Sequence, residues 1–152
     1  MTKLKAGDRA PEFTGLTEKN TTISLSDFKG KKLVLYFYPR DNTPGCTIES
    51  CNLRDHYASF IKQGYEILGV SPDSVKKHQN FIRKFELPFS LLADTDLAVC
   101  NLYGVWGDKK LFGVSYQGVI RTTFVINENG IIDKIIDEVK TSDHANQILT
   151  KE

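Results

Sequence analysis

The chain has 152 residues, 40% hydrophobic and 11% aromatic, with 20 Lys and Arg against 19 Asp and Glu and a formal net charge of +1. This content excludes a disordered chain, and the even charge, with no basic block, argues against electrostatic binding of nucleic acid. Apolar runs such as 33–38 fall far short of the roughly 20 residues that span a bilayer. The charged N-terminus has no apolar core behind it, so no signal peptide and a cytoplasmic location are expected.

Residues 32–38 (KLVLYFY), bounded by Gly30 and Pro39, read as a buried strand. After a polar Pro/Gly loop, residues 46–63 carry Ile48, Leu53, Tyr57, Phe60 and Ile61 at helical spacing, and Gly64 stops the run. Residues 66–70 form the next short strand. Ser71-Pro72-Asp73 is a helix-start signal for an amphipathic helix over 74–85, which ends before Pro88. A strand over 90–93 follows, and Asp94 or Thr95 caps a short helix with Leu97, Cys100, Leu102 and Tyr103, closed by Gly104. Strands 121–126 and 131–136 are joined by Asn-Glu-Asn-Gly, a hairpin signal. Thr141 or Ser142 caps a last helix running to the C-terminus. The alternation points to an α/β fold with a central mixed β-sheet flanked by helices. A thioredoxin-like arrangement fits it, as do other small three-layer folds. No repeat or linker is visible, so residues 1–152 read as one domain.

Three cysteines, Cys46, Cys51 and Cys100, are too few and too odd for a secreted disulfide framework. Cys46 stands where a loop enters a helix, against unpaired N–H groups and the positive end of the helix dipole. Such a place raises the thiolate share of a cysteine from a few per cent at neutral pH toward most of the population. The competing reading is a buried structural cysteine. The C-x4-C spacing to Cys51 suits neither a C-x-x-C dithiol nor common zinc knuckles. On an intact helix, five residues rise ~7.5 Å and turn ~500°, setting the two Cα atoms roughly 8.6 Å apart. A disulfide needs them within about 7 Å, so bonding requires the first turns to unwind. Otherwise the two are unrelated cysteines on one helix.

The stretch 38–51, YPRDNTPGCTIESC, resembles the peroxiredoxin active site, P-x3-T-x2-C. The extra cysteine five residues on resembles the bacterioferritin-comigratory-protein branch, also called peroxiredoxin Q. The likeness continues at GDRAPEF (7–13), YGVWG (103–107) and RTTFVI (121–126), and so covers nearly the whole chain in order. It implies a thiol-dependent peroxidase on a thioredoxin-like fold, reducing hydrogen peroxide and alkyl hydroperoxides. Cys46 matches the peroxidatic cysteine, whose thiolate attacks the O–O bond and becomes a sulfenic acid. Thr43 matches the threonine that orients the peroxide, Pro39 the proline that shields the site, and Arg121 the arginine from a distant strand. A guanidinium there stabilises the thiolate and the charge building on the leaving oxygen. Cys51 matches the resolving cysteine, giving a disulfide that thioredoxin or a similar dithiol protein reduces. No metal or organic cofactor is implied, and a monomer is expected. The unwinding step is expected to limit resolution at high peroxide and expose the sulfenic acid to over-oxidation.

Glu49, three residues past Cys46, either orients Arg121 or simply stabilises a helix start. Cys100 reads as a buried core cysteine, with competition for the resolving role as the alternative. Arg40 and Arg54 read as surface arginines, and Trp106 and Tyr103 as core or cleft aromatics. His56, His78 and His144 read as helix-surface residues, and Asp108-Lys109-Lys110 as a solvated turn. No phosphate-binding glycine loop is present. Two other functions use the same cysteines: a protein thiol–disulfide oxidoreductase, which leaves Thr43 and Arg121 idle, and a redox-sensing interaction protein, which needs no turnover.

Overall fold

A computed structural model describes residues 2–149. In chain order the elements are β1 (Thr14–Thr17), β2 (Thr22–Ser24), β3 (Lys32–Phe37), α1 (Pro44–Asp55), α2 (Tyr57–Lys62), β4 (Tyr65–Ser71), α3 (Val75–Phe85), β5 (Ser90–Ala93) and α4 (Ala98–Leu102). Then come β6 (Trp106–Leu111), β7 (Val114–Val119), β8 (Thr122–Ile126), β9 (Ile132–Ile136) and α5 (His144–Ile148), with 3-10 turns at Leu25–Phe28 and Thr141–Asp143. Seven strands form one sheet in the order β2-β1-β5-β4-β3-β8-β9. β3, β4 and β5 run parallel, while β8 pairs antiparallel with both β3 and β9. This is the thioredoxin-like arrangement with its mixed central sheet.

Why β3 carries no polar alternation is plain from its position. Leu33, Leu35 and Phe37 enter one core with Leu68, Tyr103 and Phe124. Val34, Tyr36 and Tyr38 enter the other with Cys46, Leu53 and Phe60. A strand covered on both faces must be apolar on both.

Cys100 lies in the first of these cores and Cys46 in the second, so the sheet stands between them. Burial, helped by the Asp94 carboxylate, pushes the Cys100 thiol well above its ordinary value. The Cys100→Ala variant is therefore expected to form the same products with peroxide at the same rate. Its cost is about 1 kcal/mol of stability, read from urea unfolding.

Several features differ from the sequence reading. The helix over 46–63 is two helices, because the His56 N–H bonds to Leu53 O at 3.2 Å while its ring Nδ1 meets Asn52 O at 2.9 Å. Side-chain competition for a helix carbonyl breaks the ladder there. The last helix is short, α5 only, and residues 150–152 lie outside those described. Asp94 does cap α4, from three residues before Leu97, accepting from Val99 N (2.9 Å) and Cys100 N (2.8 Å). Asp108-Lys109-Lys110 is no turn; it forms the middle of β6, paired with β7 in a separate two-stranded ribbon. A ribbon wet on much of its surface needs no hydrophobic alternation. Its actual turn, Phe112-Gly113, has positive φ at both residues (51° and 79°) but lacks the usual Asn or Asp.

Candidate active site

The loop before α1 is bolted down through Asp41. Its N–H donates to Asp73 Oδ2 (2.7 Å), its Oδ1 accepts from the Tyr38 hydroxyl (2.6 Å), and its Oδ2 lies 2.6 Å from His78 Nδ1. His78 Nε2 meets Leu92 O at 3.0 Å, so both ring nitrogens face oxygen partners. His78 and His144 are both fully buried, not surface residues. The signal was present in the spacing. His78 shares the inner face of α3 with Phe81 and Phe85, and His144 shares that of α5 with Ile148.

Thr43, extended at φ −93°, is the N-cap of α1, and Pro44 occupies its first position, where a missing N–H costs nothing. The first ladder bond runs from Thr47 N to Thr43 O (2.8 Å), leaving the Gly45 and Cys46 N–H groups outside it. Cys46 is buried, and its Sγ accepts from Arg121 Nη2 at 3.3 Å. The antiparallel register that pairs Phe37 with Thr122 carries Arg121 to the end of the sheet where the loop begins. Arg121 Nη1 also donates to Glu49 Oε1 at 2.5 Å, inside a fully buried carboxylate. Burial pushes Glu49 up to about 7 despite the opposing pull of Arg121. Burial works against the Arg121 charge as well, but Glu49 and Cys46 outweigh it and hold the guanidinium above its ordinary value.

Thr43 gives its hydroxyl proton to Arg40 O (2.9 Å) instead of capping α1. With Pro39, Trp106, Lys109 and Tyr116 it lines an open cleft of about 990 Å3 beside the loop. Lys109 Nζ donates to Val119 O at 2.8 Å, and burial, with the Arg121 charge, lowers it. Tyr103 is core, its hydroxyl donating to Pro11 O at 2.7 Å. Arg54 turns away, pairing with Asp55 at 2.9 Å. Cys51 is half-buried on the same unbroken α1, and burial pushes its thiol up.

Gly45 lets the guanidinium settle. A Cβ there would stand 3.3 Å from Arg121 Nη2, so the clamped arginine would have to shift by a few tenths of an ångström. In Gly45→Ala the reaction with peroxide is expected to slow by about three- to tenfold. Stability should not fall, since alanine is the better helix former. Stopped-flow rates beside thermal unfolding check the two halves.

A sequence model described as the AhpC/TSA family matches residues 6–135. A peroxiredoxin Bcp of Coxiella burnetii is 48% identical over 146 residues, 96% of this chain and 97% of that one. The chain belongs to the peroxiredoxins of the AhpC/TSA family. Peroxiredoxin Bcp of Escherichia coli K12 is 42% identical over 149 residues, 98% of this chain and 96% of that one. Solved structures agree. Peroxiredoxin Q of Xanthomonas campestris superposes with a TM-score of 0.85 at 34% identity, covering 97% of this chain and 93% of that one. A cysteine variant of Xylella fastidiosa PrxQ gives 0.90 at 32%, covering 97% and 94%. This peroxiredoxin is accordingly a thiol peroxidase, an oxidoreductase acting on peroxides with a thiol reductant, and among the described residues no helix is long and apolar enough to cross a membrane.

Proposed function

We propose that this peroxiredoxin reduces hydrogen peroxide and alkyl hydroperoxides at Cys46, resolves the product as a Cys46–Cys51 disulfide, and is recycled by thioredoxin or a similar dithiol protein. One observation carries the reading: Arg121 donates to Cys46 Sγ at the first turn of α1 while Glu49 holds its other edge. The thiolate attacks one peroxide oxygen, the S–O bond forms as the O–O bond breaks, and the leaving oxygen takes a proton as its alcohol or water. The guanidinium stabilises the anion before attack and the leaving oxygen during it. Thr43 and Pro39 border the path of the peroxide, and the adjoining cleft has room for an alkyl group. A solved structure of a Xanthomonas campestris bacterioferritin comigratory protein bears directly on alkyl peroxide reduction, which supports that substrate class here.

Cys51 then attacks the sulfenic sulfur, releasing water and forming the disulfide. Both cysteines lie within α1, so the helix-geometry separation of roughly 8.6 Å applies, and the first turns must open. The proposal includes a cytoplasmic, monomeric, single-domain protein. Sparse cysteine usage supports a reducing compartment.

One equivalent of peroxide followed by thiol alkylation and trypsin digestion tests this. Arg40 and Arg54 bracket both cysteines in one peptide, 41–54, apart from Cys100. Loss of two hydrogens within that peptide, with Cys100 alkylated, is the expected result. A cross-link to the Cys100 peptide, or three alkylated thiols beside unconsumed peroxide, would overturn it.

A further inference from the structure

The polar network behind Arg121 ends on an atom that the reaction scheme does not use. Among the described residues, Glu49 Oε2 is a buried side-chain oxygen with no hydrogen-bond partner, and it faces His144 Nε2 at 3.5 Å. A bare carboxylate oxygen in the interior is costly.

The hydrogen bonds of His144 assign its tautomer. Gln147 Nε2 donates to Glu138 O (3.0 Å), so Gln147 Oε1 is the oxygen that accepts from Lys140 N (3.0 Å) and from His144 Nδ1 (2.7 Å). Nδ1 thus carries the hydrogen. In the neutral ring Nε2 is a lone pair, which the Thr123 hydroxyl reaches at 2.7 Å. Two acceptor atoms therefore confront one another in a buried pocket, and a single proton between them turns that repulsion into a hydrogen bond that shares the Nε2 lone pair with Thr123. Burial opposes charge on both partners, pushing Glu49 up to about 7 and His144 down to about 4. The extra proton accordingly resides on the carboxyl.

We propose that Glu49 and His144 hold one exchangeable proton between Oε2 and Nε2, and that His144, as a positioning residue, thereby sets how the Arg121 charge is divided between Glu49 and Cys46. The proposal rests on Cys46 being the reactive thiol. Glu49 meets Arg121 ahead of β8 and His144 on α5, and its charge reaches the Tyr36 hydroxyl on β3; Thr123 on β8 bonds to His144, Cys46 accepts from Arg121, and Lys109 of β6 is a further cation near Arg121 and Cys46. With the proton in place Glu49 is neutral and Arg121 serves one anion, the Cys46 thiolate. Once the proton leaves, the guanidinium is shared between two anions. The two sites titrate as a coupled pair.

Side-chain 15N NMR of the intact reduced protein, from about pH 5 to about pH 9, reads the proton directly. The Nε2 signal of His144 is expected to move with a midpoint near neutrality while Nδ1 stays protonated. In Cys46→Ser, where no thiolate competes for Arg121, that midpoint should fall by about one pH unit. A Glu49→Gln variant, permanently neutral, should abolish the Nε2 movement and narrow the pH profile of the peroxide reaction to a single step. An Nε2 signal that stays flat, or that titrates unchanged in Glu49→Gln, would overturn the proposal. Failure of Cys46 to react with peroxide at all would instead sink the functional reading, so the two outcomes are distinguishable.

Discussion

Replacing Arg121 by glutamine is expected to slow the reaction of the reduced protein with hydrogen peroxide by about two to three orders of magnitude, the usual cost of removing one preorganised donor from a developing charge. Both roles of the side chain go at once. The donor at 3.3 Å from Cys46 Sγ loses its charge, and so does the group that braces the site through Glu49 at 2.5 Å. Glu49 then sits fully buried without its cation, and burial alone drives it to the neutral acid, which limits the damage to folding. Arg121→Lys separates charge from shape. An ammonium is a point charge that cannot donate in parallel to sulfur and carboxylate, so it should recover only part of the loss. Competition kinetics against a reference thiol measure both variants. A rate within threefold of the parent in Arg121→Gln would remove the arginine from the mechanism.

How far the sequence led can be judged on particular residues. β3, α3, β5 and the β8–β9 hairpin were legible because burial on one or two faces imposes a pattern, and β5 was expected at its observed bounds. The ribbon of β6 and β7 and the short β1 and β2 were not, since strands wet on much of their surface carry no such pattern. At the site, Cys46, Thr43, Pro39 and Cys51 lie in one stretch and Arg121 was found through the family likeness. The structure brings Cys46, Arg121 and Glu49 into contact across 75 positions of sequence. It gives no such contact to the Thr43 hydroxyl, which is spent on Arg40 O. His78 and His144 were misread although their spacing marks the inner faces of α3 and α5; what only the fold supplies is the carboxylate each one meets, Asp41 and Glu49. Lys109 is half-buried on β6, a strand with no apolar alternation to announce it.

Cys51→Ser is expected to leave the first oxidation of Cys46 as fast as in the parent while steady turnover with a dithiol reductant falls to background. In the proposed cycle the opening of α1 lies between those two events, and its contribution can be measured separately. Thr47, partly exposed in the first turn, sits between the two cysteines. Exchange for alanine strengthens the helix by about 0.5 kcal/mol. If the first turn is open when sulfur meets sulfur, Thr47→Ala must pay that energy and the disulfide forms about two- to threefold more slowly. The initial peroxide reaction, which uses the folded helix, is unchanged. Rapid quenching with an alkylating agent times the sulfenic acid and the disulfide in one experiment. A slower second step also lengthens the life of the sulfenic acid, so at high peroxide the fraction of Cys46 driven to sulfinic acid per turnover should rise by the same factor. Equal rates of disulfide formation in parent and variant would mean that the cysteines meet without unwinding this turn, which the intact-helix separation of roughly 8.6 Å does not allow. In the proposed cycle the rate of resolution and the resistance to over-oxidation are thus two readings of one quantity, the stability of the first turn of α1.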